Sequence, residues 1–354
     1  MKEKIMQILS ENHVDGFFVS KIENVRYLSG YTSDDACLLL TSEKNYFITD
    51  PRYTEQASAE CKDFEVIDWR SVGASMAAAI ASEAKKNNIK TLGFESDVLT
   101  FSAYTELAEN FKGEMVPMEK EVEKLRSIKT PYEIDCQRTA CQISCRALER
   151  VMKDIRVGVS EKEIGAKLSY YMVNEGGDPK PYGQIVIAGA RTSLLHGIPS
   201  EYEIKSGDFV LLDFGCGYKG YLSDMTRTFV VGNPTAKQRE VYELERRMEQ
   251  DSLDVMKAGT TGREVYEASI RAITGTEYMP YHYGGIGHGI GLFVHEIPFM
   301  GIKNEIPLKK NSVVTIEPGI YIPGWGGVRI EDQVVIEDGG HENLVNFPKE
   351  LIEL

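Results

Sequence analysis

The sequence predicts an α+β protein of two domains, a smaller α/β domain followed by a larger one assembled from two similar halves. Three observations carry that prediction. Short apolar runs alternate with helical stretches through residues 1–118, and a charged run, MEKEVEKLRSIKTP, then changes the texture of the chain. Beyond it the sequence repeats itself at an offset of 101 residues, and each copy leads into a pair of acids around a glycine-rich turn. At 354 residues there is ample material for two cores.

In the first domain, GFFVS, ACLLLTS, NYFITD, FEVIDW and KTLGFES have the length and the β-branched or aromatic content of strands. MKEKIMQILSEN, DPRYTEQASAEC, SVGASMAAAIASEAKKNN and TFSAYTELAENF have helical patterning. The alternation is that of an α/β layer, with SEKN as a hairpin turn. Little chemistry is visible here: Asp34 and Asp35 after GYTS, and Asp50 and Arg52 around a proline, read as surface or capping residues. The charged run is poor in apolar residues and reads as solvated, which places residues 1–123 in the first domain, 124–130 in a linker and 131–354 in the second. Pro131 then opens a long helix through about Lys153, because proline suits a first helical turn.

In the second domain, VMKDIRVGVSEKEIGAKL and DVMKAGTTGREVYEASI share a helix end, a glycine, a polar cap and a glutamate; Gly158 aligns with Gly259 and Glu163 with Glu264. Each half reads as helix, helix and then strands, which predicts a pseudo-twofold domain with its site between the halves. The stretch FVLLDFGCGYKGYLSDMTRTFVV reads as a β-hairpin. Centring its turn on Tyr218 and Lys219 sets Asp213 directly across from Asp224. Facing carboxylates on paired strands repel, and a fold retains them when protonation or a cation removes the repulsion. VVTIEPGIYIPGWGGVRIEDQVVI repeats the arrangement, with Glu317 and Glu331 flanking PGWGG close to opposite each other. Two such hairpins read as the halves of one metal site. The GxG in GCGYKG is not a dinucleotide loop, because a strand and not a helix follows it.

Between the hairpins, YHYGGIGHGIGLFVHEIP crowds three of the six histidines of the chain into one glycine-rich segment, His288 and His295 among them. His196 in GARTSLLHGIPS is a further candidate, while His13 and His341 read as structural. Four carboxylates and one imidazole form a hard, oxygen-rich donor set with more charge than one divalent ion needs. Two ions sharing carboxylates would neutralise it and acidify a water held between them, which is hydrolytic chemistry.

The formal net charge of -14 argues against nucleic acid or an anionic membrane as partner. No run reaches the length needed to span a bilayer, and the start lacks a signal-peptide apolar core, so a cytoplasmic protein is expected. Cys37, Cys61, Cys136, Cys141, Cys145 and Cys216 lack CxxC spacing and read as small core residues.

Taken together, GHGIGLFVHE, LLDFGCGYKGYLSDMTRT, TIEPGIY and GVRIEDQV resemble the signature blocks of the M24 metallopeptidases, the pita-bread group that includes prolidase, aminopeptidase P and methionine aminopeptidase. The likeness spans the second domain, and the first is similar to the creatinase-type α/β domain of the proline-specific members. FPKELIEL at the tail fits the same members. The resemblance implies a pita-bread catalytic domain with a pseudo-twofold repeat, and metal ligands Asp213, Asp224, His288, Glu317 and Glu331. It implies that Asp224 and Glu331 bridge two divalent ions, manganese first, with cobalt or zinc as alternatives. Glu317 would double as acid and base, and His196 and His295 would hold the substrate and stabilise its tetrahedral intermediate. Arg329 would support the carboxylate network or bind a substrate carboxylate.

The implied activity removes the residue before proline with a metal-bridging hydroxide, from dipeptides or from longer peptides, in a homodimer acting on proline-containing peptides. The extra N-terminal domain argues against a methionine aminopeptidase. Gly284 and Ile286 stand where the family often has the polar pair of HGTG near the entrance to the site, Leu195 where a proline is usual, and GYTSDD replaces GFTGS. These departures bear on substrate preference and not on the ligands. A creatinase-like amidinohydrolase that works without metal and a catalytically silent pita-bread binding protein are the rival readings, and retention of all five ligand positions argues against both.

Overall fold

In the computed structural model, which describes residues 1–178 and 183–354, the chain divides into two units, Met1–Arg126 and Ser127–Leu354. The first unit carries six strands, β1 (Gly16–Val19), β2 (Ala36–Thr41), β3 (Tyr46–Thr49), β4 (Glu65–Asp68), β5 (Thr91–Glu95) and β6 (Glu114–Met118). They form one mixed sheet in the order β4-β3-β2-β1-β5-β6. The strands β1, β2 and β3 pair antiparallel, and the outer pairings are parallel.

Successive strand residues point to opposite faces, and here both faces are covered. Phe17, Val19, Leu38, Leu40 and Phe47 meet Ile5, Ile8 and Leu9 of α1 (Lys2–Glu11) on one side. On the other side Phe18, Leu39 and Ile48 meet helical residues such as Ile80 and Leu107. Burial on both faces explains why these strands read as unbroken apolar runs.

Two elements of this unit carry weak sequence signals: α2 (Ile22–Ser29), with polar residues at half its positions, and β6, an edge strand that includes Pro117. The helices α3 (Thr54–Glu60), α5 (Met76–Lys86) and α6 (Phe101–Asn110) fall in the expected stretches, whereas α4 (Trp69–Val72) starts at Trp69, which was expected to end a strand. The charged run corrects its reading as solvated. It contains α7 (Glu121–Arg126), which buries Val122, Glu123 and Arg126. Glu123 accepts hydrogen bonds from Lys21 Nζ at 2.7 Å and Asn24 Nδ2 at 3.0 Å, and Arg126 donates to Asn24 Oδ1 at 2.6 Å. Charges paired across about a hundred residues leave no local trace. Asp50 is likewise more than a surface residue: its buried carboxylate takes Arg52 Nε and Arg70 Nη2, each at 2.7 Å.

The second unit opens with α8 (Pro131–Val151), whose start is fixed by a reciprocal cap between Thr130 and Glu133 and by Pro131 in the first turn. Then come α9 (Glu161–Asn174), β7 (Ile185–Ala188), β8 (Phe209–Phe214), β9 (Gly217–Tyr218), β10 (Tyr221–Leu222) and β11 (Met225–Val230). The second half repeats the plan with α10 (Ala236–Val255), α11 (Gly262–Ser269), β12 (Gly285–Gly289), β13 (Glu296–Gly301) and β14 (Val313–Ile316). It ends with β15 (Gly319–Ile322), β16 (Gly326–Arg329), β17 (Asp332–Ile336) and β18 (His341–Asn343). The main sheets are β11-β8-β7 and β13-β12-β14-β17-β18, and β9/β10 and β15/β16 are short ribbons.

The repeat extends to hydrogen bonds. The amide of Gly158 donates to Ile204 O at 2.9 Å, and that of Gly259 to Leu308 O at 2.9 Å. Both glycines have positive φ, 87° and 95°, and each leads into a helix capped by Ser160 or Thr261, whose side chains accept from Glu163 and Glu264. All six cysteines are free and buried, as small core residues should be.

Candidate metal centre

In the first acid hairpin, Tyr218 pairs with Tyr221 and Phe214 with Met225, so the turn is centred on Lys219 and Gly220, at φ 52° and 85°. Two positive φ values suit the right-handed twist of a tight hairpin, and glycine tolerates its position freely. This corrects the expected register: Asp213 faces Thr226, not Asp224. Extending the ladder puts Gly215 opposite Asp224. A Cβ at Gly215 would lie 1.9 Å from the Ser223 carbonyl oxygen, so only glycine fits. A slip of two residues preserves the face, and the two aspartates become diagonal neighbours. In the second hairpin, Ile316 pairs with Asp332 and Gly319 with Arg329. The same register on both sides sets Glu317 across from Glu331.

One donor atom each from Asp224, His288 and Glu331, all buried, lie within 4.8 Å of one another. Glu331 Oε2 accepts from Thr226 Oγ1 at 2.7 Å, whereas its Oε1 is buried with no hydrogen-bond partner among the described residues. Burial, and then the charges of Asp224, Glu317 and Asp213, push the Glu331 carboxyl well above its usual range. His288 Nδ1 lies 3.0 Å from Gly289 O. A carbonyl can only accept, so Nδ1 carries the proton and Nε2 is left facing the carboxylates, the orientation a metal-binding imidazole needs.

Asp213 and Glu317 flank this trio. Asp213 Oδ2 accepts from Arg329 Nη2 at 2.7 Å, and Glu317 Oε1 lies 3.3 Å from His288 Nε2 and from Thr315 Oγ1. Burial would raise the Glu317 carboxyl, but His288 and Arg329 outweigh it and hold the group below the usual carboxylate range. Burial pulls the His288 imidazole down, and Glu317 more than reverses that.

Arg329 is buried, and its guanidinium is engaged throughout the cluster. Besides Asp213 it reaches Tyr321 OH at 3.0 Å, Thr226 Oγ1 at 3.2 Å and Leu195 O at 3.4 Å. The last contact ties the loop bearing His196 to the cluster. His196 and His295 are both exposed, and His295 packs edge-on against His288 with ring centroids 4.5 Å apart. Partial burial, and then the His288 charge, lower the His295 imidazole. Ile286 belongs to the core with Val314 and Ile316, so that departure from the family pattern lies in the interior and not at an entrance.

Several residues that hold these groups were missed in the sequence. Thr226 and Tyr321 serve Glu331 and Arg329, Thr315 accepts from the His288 amide at 3.2 Å, and Gln333 accepts from the Asp224 amide at 2.9 Å. Their available signal is a polar residue at a buried position of an otherwise apolar strand.

Such a donor set, with its orphaned carboxylate oxygen and its oriented imidazole, fits divalent cations. The chain matches Metallopeptidase family M24 over residues 135–338, and the Creatinase/Prolidase N-terminal domain over residues 2–128. It belongs to metallopeptidase family M24. The M24 chain is 39% identical to an Xaa-Pro dipeptidase from Bacillus anthracis, with a TM-score of 0.96, covering 100% of this chain and 99% of that one. An X-Pro aminopeptidase from Thermotoga maritima MSB8 is 33% identical with a TM-score of 0.90, covering 97% and 98%. The Xaa-Pro dipeptidase of Pyrococcus furiosus is 35% identical over 99% of both chains. The repeated second unit is thus the pita-bread catalytic domain of an M24 metallopeptidase, an enzyme class that works with divalent metal. Among the described residues no helix is long and apolar enough to cross a membrane.

Proposed function

We propose that this M24 chain is an Xaa-Pro exopeptidase, cleaving the bond between an N-terminal residue and proline in dipeptides and longer peptides. It would do so with two divalent ions, manganese first, as a cytoplasmic homodimer. The observation that carries the reading is the meeting of buried Asp224, His288 and Glu331 donors within 4.8 Å of one another, with Glu331 Oε1 left without a hydrogen-bond donor among the described residues. The names of the similar proteins supply the substrate class.

In this reading Asp213, Asp224, His288, Glu317 and Glu331 would hold the two ions, with Asp224 and Glu331 shared between them. When bound, such a pair supplies a water of lowered pKa and polarises the scissile carbonyl. The protein's own groups do the rest. Arg329 fixes the rotamer of Asp213 from one side, and Thr226 fixes that of Glu331. Glu317, the most exposed carboxylate of the group, would take a proton and return it to the leaving proline nitrogen. His196 and His295, exposed beside the cluster, hold the substrate and donate to the oxygen on which charge develops. A bond before proline is a tertiary amide without an N–H, which general peptidases handle poorly.

The test is metal analysis together with hydrolysis of Xaa-Pro and Xaa-Pro-Xaa peptides before chelation, after it, and after manganese is restored. Release of the N-terminal residue that chelation abolishes and manganese restores is the expected result. Cleavage that survives removal of all metal, or no cleavage of either peptide by the metal-loaded protein, would overturn the reading.

A further inference from the structure

His295 has no hydrogen bond to either ring nitrogen among the described residues, and its side chain is exposed. Its direction is therefore set by its backbone and by the edge-on contact with His288. What fixes that backbone is the next residue. The Glu296 side chain is only 3% exposed and turns back into the loop 290–295. Its Oε1 accepts the Phe293 amide at 3.0 Å, and a Cβ on Gly291 would stand 2.7 Å from its Oε2, so the loop is wrapped closely round the carboxylate. The charge is met by Lys129, 1% exposed, whose Nζ lies 3.3 Å from Oε2. Lys129 is itself anchored, since its amide donates to Asn311 O at 2.9 Å.

From this geometry we infer that Glu296 and Lys129 are a positioning pair for His295: the buried ion pair holds the loop in the one shape that keeps the His295 imidazole edge-on to His288. Neither residue touches substrate in this account; both act through His295. The inference rests on the proposed peptidase reading for the role of His295, but not for the structural coupling. A carboxylate left in a dry loop without its cation draws in water or a proton and loosens the turn that contains it. A displacement of about 1 Å at a substrate-holding group is enough to lower turnover on the order of 100-fold.

The experiment compares wild type, Lys129→Met, Glu296→Gln and the double variant Lys129→Met with Glu296→Gln. Imidazole NMR signals of His295 and His196 are recorded in the apoprotein, and peptide kinetics and metal content in the loaded protein. Lys129→Met should move the His295 signals, leave those of His196 in place, keep metal content unchanged and lower kcat on the order of 10-fold to 100-fold with little change in KM. The double variant should recover most of the loss, because glutamine keeps an acceptor for the Phe293 amide and no unpaired charge remains. In a His295→Ala background Lys129→Met should cost nothing further. Unmoved His295 signals in Lys129→Met, or losses that multiply in the His295→Ala background, would overturn the inference. Should Lys129→Met not fold, Glu296→Gln alone reports on the same signals. If wild type cleaves no peptide, the functional reading fails, and the imidazole signals still decide whether the pair positions His295.

Discussion

The two acid hairpins of the catalytic unit reach one cluster by different geometry. In the first, a two-residue turn at Lys219 and Gly220 staggers two short carboxylates, Asp213 and Asp224, along the diagonal. In the second, the loop of Pro323, Gly324 and Trp325 sets two longer carboxylates, Glu317 and Glu331, straight across from each other. Both solutions keep the pair on one face, which is all that a strand period of two demands. The grip on these acids is also reciprocal. Arg329 from the second half holds Asp213 of the first, Thr226 from the first holds Glu331 of the second, and Gln333 takes the Asp224 amide. Neither half alone presents an ordered set of ligands.

That reciprocity can be broken at graded cost. The largest effect is expected from Glu331→Gln, which removes a proposed shared ligand: loss of bound metal, and a fall in turnover on the order of 10³-fold, checked by metal analysis and peptide assay. Asp213→Asn should spare one ion. Equal metal loss in both variants would contradict the distinction between a shared ligand and a single one. Next comes Arg329→Met, which leaves Asp213 without its partner and should weaken metal binding roughly 10-fold to 100-fold by calorimetry. Thr226→Val should fall at the lower end of that range, since it removes two side-chain hydrogen bonds, to Glu331 and from Arg329, where the Arg329 side chain makes four. Gly215→Ala forces a methyl against the Ser223 carbonyl and should cost about 1–3 kcal/mol, visible as a lowered Tm. Smallest is Lys219→Gly, which relieves a non-glycine residue at φ 52° and should raise stability by less than about 1 kcal/mol.

The contrast between the halves also marks what could be read from residues alone. The acids, the turns and the offset between Gly158 and Gly259 were visible, because spacing and turn chemistry are local. The register of the first hairpin was not, because it depends on which two residues take positive φ, and Tyr218 with Lys219 competes in the sequence with Lys219 and Gly220. The holding residues were invisible for another reason. Thr226, Thr315, Gln333 and Tyr321 are ordinary strand residues until a partner arrives from elsewhere in the chain, 8 positions away for Tyr321, 27 for Thr315, and 105 and 109 for Thr226 and Gln333. The first unit teaches the same lesson. Its apolar strands were legible, while α7, rich in charge, owes its burial to Lys21 and Asn24 far upstream.

The acceptor that orients His288 is the oxygen of Gly289, a main-chain atom. Substituting a side chain cannot delete it, so this acceptor is insulated from point mutation. A library that randomised every neighbour of the imidazole would still inherit the same tautomer, and the ring could be lost only by replacing His288 itself or by unravelling its strand.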